Sequence, residues 1–162
     1  MPISHARMER ADFKRIAPSA DAALLALGRA ASDAGLDKDL LELVKLRASQ
    51  INGCAFCLQL HLTIARELGV PDEKLDLLVA WREAGIFSER EEAALAWTEL
   101  VTSLPQGGVP EEAYDAARAQ FSETELAFLT AAIAGINAWN RVAVAYRFTP
   151  TVSAAAAPIR GR

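Results

Sequence analysis

Residues 39–69 read DLLELVKLRASQINGCAFCLQLHLTIARELG, and their apolar side chains recur at every third or fourth position. This spacing is typical of helices, because a helix face repeats every 3.6 residues whereas the faces of a strand alternate. We predict a helix over residues 39–51, ended by Asn52-Gly53, which tolerate a positive φ. A second helix is predicted to begin at or near Cys54 and to end at Gly69. A turn between the two would fold them into an antiparallel hairpin.

The rest of the chain is rich in Ala, Leu and Glu and contains no convincing strand, so the predicted fold is all-α. Ser19 is expected to cap a helix that Gly35 ends. The capping-box pattern, a serine followed three positions later by a glutamate, occurs at Ser88 and at Ser122. The further helices are predicted over residues 20–34, 71 to 82 or 83, 88 to before 105, 110–120 and 123–146.

Length and composition limit the classes of protein. A chain of 162 residues suits one domain, with a core at about residues 10–150 and a loose Ala-rich tail over 151–162. No apolar run approaches the roughly 20 residues of a membrane-spanning helix, and the N-terminus lacks the apolar centre of a secretory signal. A net charge of −4 without a dense Lys/Arg cluster argues against nucleic acid as a partner. We therefore expect a cytoplasmic protein without membrane or nucleic-acid partners.

The two cysteines of the chain, Cys54 and Cys57, lie three positions apart, so their chemistry has to be local. At a helix start, unpaired backbone amides and the helix dipole stabilise a thiolate, and we expect a lowered thiol pKa. His61 follows Cys57 by one helical turn, and the hairpin brings Glu42 level with His61. The arrangement predicts a relay in which Cys57 passes its proton towards His61 while Glu42 orients the imidazole.

Two simpler interpretations remain open. The cysteines and His61 could hold a structural zinc ion, but such a site needs four ligands, and the remaining histidine is His5 near the terminus. Alternatively, both cysteines are unreactive core residues, as buried cysteines often are. Asn137, Asn140 and Arg141 are unusual in an apolar helix. They are expected to form hydrogen bonds across a helix interface rather than to perform chemistry.

Two segments carry a resemblance to a known family: ELVKLRASQINGCAFC at residues 42–57 with His61 after it, and INAWNRVAVA at residues 136–145. Over about residues 10–150, the chain resembles the AhpD-like alkylhydroperoxidase branch of the carboxymuconolactone decarboxylase family. The resemblance implies an all-α bundle built around a hairpin that carries the Cys-x-x-Cys. It also implies a homo-oligomer, a trimer or hexamer, with the site near subunit contacts.

The resemblance also assigns roles. It implies that Cys57 is the peroxidatic cysteine that becomes a sulfenic acid, that Cys54 closes the disulfide and donates a proton, and that Glu42 and His61 form the relay. Its implied partners are an organic hydroperoxide and a dithiol or lipoyl-type reductant, with no metal or other cofactor. Phe56 departs from the pattern, because well-studied members carry a histidine there, which implies a simpler relay or a weaker peroxidase. The decarboxylase branch lacks the cysteine pair, so decarboxylation ranks below redox chemistry.

The function predicted from the sequence is therefore that of an antioxidant oxidoreductase, a thiol-dependent peroxidase with catalytic residues Cys57, Cys54, His61 and Glu42. One alternative is a protein-disulfide reductase without significant peroxidase activity. Another is a non-catalytic oligomeric module whose thiols sense redox state or bind a partner.

Overall fold

A computed structural model describes residues 6–151 of the chain, and its regular structure over that range is entirely helical. The prediction of an all-α fold is confirmed. A short 3-10 turn at Leu78–Ala80 joins two of the helices. The α-helices are α1 (Arg10–Ile16), α2 (Pro18–Asp33), α3 (Lys38–Asn52), α4 (Ala55–Leu68), α5 (Asp72–Leu77), α6 (Trp81–Ala84), α7 (Glu89–Thr102), α8 (Glu111–Gln120) and α9 (Glu123–Tyr146).

The predicted hairpin is formed by α3 and α4, and its turn has the expected chemistry. Gly53 adopts the left-handed conformation at φ +64°, and the amide of Cys54 donates to the carbonyl of Ser49 at 3.0 Å. The Gly53 amide also donates, to the carbonyl of Gln50 at 3.3 Å. These two bonds satisfy carbonyls at the end of α3, and the chain turns directly into α4. Helix α3 lies at the centre of the fold, packed against α4, α7 and α9. Both helices of the hairpin end within one residue of the predicted boundaries.

Both capping boxes are confirmed. The Ser88 hydroxyl accepts from the Glu91 amide at 3.2 Å, and the Ser122 hydroxyl accepts from the Glu125 amide at 3.1 Å. Each glutamate returns a hydrogen bond to the serine amide. The second box begins α9, which runs for 24 residues along α2. Gly135 allows this close approach, because a Cβ there would lie 3.3 Å from the Leu27 side chain.

Three predictions about the helices need correction. Helix α2 begins at Pro18, one residue before the predicted cap Ser19, because a proline at the first position has a favourable φ and no amide to satisfy. The predicted helix over 71–82 is broken by the 3-10 turn at Leu78–Ala80. Helix α1 was not predicted, and it contains no buried residue. Its Phe13 ring packs on Trp139 of α9, so tertiary contacts hold it in place.

The buried apolar residues form three clusters, and the smallest one surrounds the cysteines. Cys54 and Cys57 pack there with Ile136, Ala143 and Phe148. No helix within residues 6–151 combines the length and apolar character needed to cross a membrane. His5 and most of the predicted tail, residues 152–162, lie outside the described residues.

Candidate functional site

The cysteine pair forms the start of α4. Cys54 is the N-cap residue, and its Sγ accepts a hydrogen bond from the backbone amide of Cys57 at 3.3 Å. Both cysteines are free thiols, and they are only 1 % and 3 % exposed. The cap therefore uses a sulfur where most helices use an oxygen, and it places the two side chains together inside the protein.

Of the two thiols, Cys54 is the one whose pKa is lowered. The thiol of Cys57 donates to Cys54 and is the main cause that lowers the pKa of Cys54 to about 7, against the opposing effect of burial. Backbone amides and the side-chain amide of Asn140 lower this pKa further. The same hydrogen bond raises the pKa of Cys57, and burial and the charge of Cys54 add to that rise. Cys54 is therefore the sulfur of the pair that ionises first, and Cys57 keeps the shared proton.

Glu42 and His61 meet as the hairpin predicts. His61 Nδ1 lies 2.6 Å from Glu42 Oε2, while Lys45 donates to Glu42 Oε1 at 2.7 Å. Burial raises the pKa of Glu42, but the hydrogen bond and charge of His61 and the contacts of Lys45 bring it below its ordinary value. Because an ionised carboxylate can only accept, the contact holds a ring proton of His61 on Nδ1, so in the neutral ring Nε2 is the nitrogen with the lone pair.

Cys57 and His61 line the same cavity, which has a volume of about 300 Å³. Its walls are mainly apolar side chains of α2, α4 and α9, including Leu25, Leu60 and Trp139. Glu42 lies behind His61 and is 4 % exposed. A small apolar molecule in this cavity would meet a sulfur and an imidazole.

A second cavity, of about 310 Å³, lies on the other side of the pair. Cys54 lines it together with Gly53, Arg147 and Thr149. Cys57 and His61 line only the first cavity and Cys54 only the second, although Phe56 and Ala143 line both. Each cysteine therefore faces a cavity of its own.

Asn140 belongs to the site, although the sequence predicted only that it bonds across a helix interface. That bonding is confirmed: Asn140 Nδ2 donates to Ser49 Oγ at 3.0 Å, and Asn52 Nδ2 donates to the side-chain oxygens of Asn137 and Asn140 at 2.8 and 2.9 Å. Asn140 is fully buried, and its amide also lowers the pKa of both thiols. The available signal was an amide within an apolar helix, since a buried amide must find partners.

Phe56 stands where a histidine was expected from the resemblance, and it performs a packing role. Its ring meets Phe148 nearly edge to face, with centroids 5.4 Å apart and an interplanar angle of 79°. It supplies no titratable proton, so the groups that can move protons beside Cys57 are Cys54 and His61.

A metal site receives no support from the described residues. Within residues 6–151, no group of three or more His, Cys, Asp or Glu side chains is placed to hold a metal ion. The fourth zinc ligand considered from the sequence, His5, lies outside that range.

Comparisons with known proteins agree with the helical site. The profile of the carboxymuconolactone decarboxylase family matches residues 18–100. The uncharacterized protein YdfG of Bacillus subtilis (strain 168) is 34% identical over 137 residues, which cover 85% of this chain and 93% of YdfG.

Solved structures show the same fold. A protein of unknown function from Agrobacterium tumefaciens, for which a role as the antioxidant defence protein AhpD is suggested, is 37% identical. It superposes with a TM-score of 0.85 and covers 92% of this chain and 100% of its own. A peroxidase-related protein from Ralstonia eutropha JMP134, described as an alkylhydroperoxidase AhpD core, has a TM-score of 0.76 at 24% identity, covering 86% and 75% of the two chains.

Proposed function

Because this chain belongs to the carboxymuconolactone decarboxylase family, in its AhpD-like branch, we propose that it is a thiol-dependent peroxidase that reduces organic hydroperoxides. A peroxidase-related, antioxidant role is what its relatives suggest. The observation that carries the finer proposal is the shared cavity of Cys57 and His61, with Cys54 in hydrogen-bond contact behind Cys57.

In the first step, the Cys57 sulfur attacks the outer oxygen of the hydroperoxide. The O–O bond breaks, Cys57 becomes a sulfenic acid and an alcohol leaves. The proton that Cys57 gives up passes through His61 Nε2, which Glu42 keeps available, to the departing alkoxide oxygen. The step therefore needs no proton from outside the site.

In the second step, the Cys54 thiolate attacks the Cys57 sulfenic acid. A Cys54-Cys57 disulfide forms, and the hydroxide that leaves becomes water by taking a proton from the solvent. Backbone amides and the Asn140 side chain also lower the pKa of Cys54, and these contacts favour its thiolate at this stage. A dithiol or lipoyl-type reductant then restores both thiols.

The resting charge on Cys54 is compatible with attack by Cys57. The two thiols interact strongly, so their single proton belongs to the pair rather than to one sulfur. When that proton moves to Cys54 or to His61, Cys57 becomes the thiolate beside the bound peroxide. The raised pKa of Cys57 makes this sulfur a strong nucleophile once it is ionised.

The cavity supports an organic peroxide rather than hydrogen peroxide as substrate, since Leu25, Leu60 and Trp139 make much of its wall apolar. Arg10, Arg29 and Lys45 also line it. Leu25 and Leu60 are 39% and 41% exposed. Their exposure supports a homo-oligomer, a trimer or hexamer, in which a neighbouring subunit covers the mouth of the cavity.

The test is stopped-flow oxidation of the reduced protein by cumene hydroperoxide, with mass spectrometry of the product. We expect fast loss of both thiols and a product lighter by two hydrogen atoms. Cys57→Ser should not react, whereas Cys54→Ser should react once and stop as the sulfenic acid. Intact thiols after exposure to the peroxide, or wild-type turnover in both variants, would contradict the proposal.

Disulfide exchange is the second candidate function, because Cys54 has a pKa of about 7 and faces its own cavity. A thiol of this pKa is partly ionised at neutral pH, and its thiolate attacks disulfides readily. Parallel rates with insulin disulfides and with cumene hydroperoxide separate the two functions. Faster reduction of insulin would favour a disulfide reductase.

A further inference from the structure

We propose that the second cavity, beside Cys54 and Arg147, binds a small carboxylate-bearing dithiol that reduces the Cys54-Cys57 disulfide by attacking the Cys54 sulfur. The inference rests on the proposed redox function, because it requires that disulfide. It adds the place of attack, the residue that recognises the reductant and the charge of the reductant.

The two sulfurs face different cavities. Cys57 faces the cavity of His61, and Cys54 faces the cavity that Gly53, Arg147 and Thr149 complete. A peroxide and a reductant could therefore occupy separate cavities. Because attack on a disulfide sulfur requires access to that sulfur, the second cavity favours Cys54 as the sulfur that is attacked.

Arg147 is the residue that could recognise a charged ligand in the second cavity. Among residues 6–151, it is the one charged residue that lines the second cavity. Within residues 6–151, no ion pair or hydrogen bond joins its guanidinium to another side chain. The described lining thus offers a cation without an acidic neighbour in the wall, which suits an anionic ligand, and guanidinium matches a carboxylate in shape.

The backbone conformation of Arg147 indicates that its side chain is needed at this position. Arg147 ends α9 at φ +56°, a left-handed conformation that favours glycine, and it is the one residue other than glycine with a positive φ between residues 6 and 151. The amide of Phe148 holds the turn by donating to the carbonyl of Ala143 at 3.0 Å. An arginine at a position that a glycine would fill with less strain is consistent with a side chain needed beside the cavity.

The dimensions of the site restrict the size of the reductant. Cys54 is only 1% exposed, and its cavity measures about 310 Å³. A bulky group approaches a sulfur at this depth less easily than a small one. A small dithiol on a flexible chain fits the space.

The reaction balances as two thiol-disulfide exchanges. The ionised sulfur of the dithiol attacks Cys54 Sγ, the Cys54-Cys57 bond breaks, and Cys57 leaves as a thiolate that takes up a proton in the cavity of His61. The second thiol of the ligand, deprotonated, then attacks the ligand sulfur bound to Cys54. A cyclic disulfide forms and the Cys54 thiolate is released, so two electrons pass from the dithiol to the protein.

The test compares dihydrolipoate with dihydrolipoamide, which carry the same dithiol and differ in the carboxylate. The full chain is first oxidised with diamide, so no peroxide reaction is needed, and its reduction is followed by acid quench and mass spectrometry. We expect dihydrolipoate to be about two- to fivefold faster, the range for one partly exposed charge pair. The difference should shrink with added salt.

Arg147→Asn is the test variant, because asparagine tolerates the left-handed conformation and carries no charge. It should bring the two rates together. Arg66→Gln is the matched control, since it also removes one positive charge. Arg66 is 54% exposed and lies in the last turn of α4, roughly 16 Å along the helix from its first residue. This control should keep the preference for dihydrolipoate.

Equal rates with the wild-type protein, or an unchanged preference in Arg147→Asn, would overturn the inference. These outcomes are separate from a failure of the proposed function. A protein that turns over peroxide but is reduced equally by both dithiols contradicts only the Arg147 site. A protein that prefers dihydrolipoate but does not react with peroxides contradicts only the peroxidase proposal.

Discussion

His61 Nδ1 lies 2.6 Å from Glu42 Oε2, although the two residues are 19 positions apart on different helices of the hairpin. The contact fixes the imidazole with its free nitrogen available to the cavity that Cys57 lines. Lys45 holds the second oxygen of Glu42 at 2.7 Å, so the carboxylate is held from two sides.

Replacement of Glu42 tests the relay. Glu42→Gln removes the charge that keeps the His61 proton on Nδ1, and we expect cumene hydroperoxide to oxidise the thiols about a hundredfold more slowly. Stopped-flow kinetics measure the loss. The control Glu67→Gln, at an exposed position on α4, should react at the wild-type rate. An unchanged rate in Glu42→Gln would remove Glu42 from the mechanism.

The lowered pKa of Glu42 predicts how stability depends on pH. A carboxylate whose folded pKa lies below its unfolded value, 4.5, contributes its full stability above that value. The contribution is lost as the pH falls through the lower folded pKa. Urea unfolding of the wild-type protein should therefore show a falling free energy of unfolding below about pH 4.5, and Glu42→Gln should show a weaker fall. Parallel curves for the two proteins would contradict the assignment.

The thiol pair should titrate as one accessible group. Absorbance of the thiolate near 240 nm should show one transition at about pH 7, from Cys54, while Cys57 stays protonated well above the ordinary range. Cys57→Ala removes the donating thiol, so the Cys54 transition should move up towards 9.0, the ordinary value. Two wild-type transitions near that ordinary value would show that the sulfurs do not share a proton.

Asn140 should affect both stability and thiol chemistry. Asn140→Ala removes the donor to Ser49 Oγ and one of the two acceptors of Asn52, although Ser49 still donates to the Lys45 carbonyl and Asn52 to Asn137. We expect the two lost hydrogen bonds to cost about 1–3 kcal/mol together. Urea unfolding measures this loss. The pKa of Cys54 should also rise, because the Asn140 amide lowers it in the wild-type protein. A destabilised variant with an unchanged Cys54 titration would confine Asn140 to a structural role.

The sequence by itself determined most of the helices and the hairpin. Periodic apolar residues, the glycine at position 53 and the two serine caps act over a few neighbouring residues, so their effects can be predicted without the rest of the fold. The meeting of Glu42 with His61 follows from the same local geometry, because the turn and the helical rise set which residues of the hairpin lie side by side.

Only the tertiary structure decided which sulfur carries the charge and what each sulfur faces. The pKa values of Cys54 and Cys57 depend on burial, on their mutual hydrogen bond and on Asn140, which is more than 80 positions away in the chain. The two cavities need α2, α9 and the segment at Arg147 to come together around α4. Solvation and hydrogen bonding by distant segments set these properties, and no local pattern encodes them.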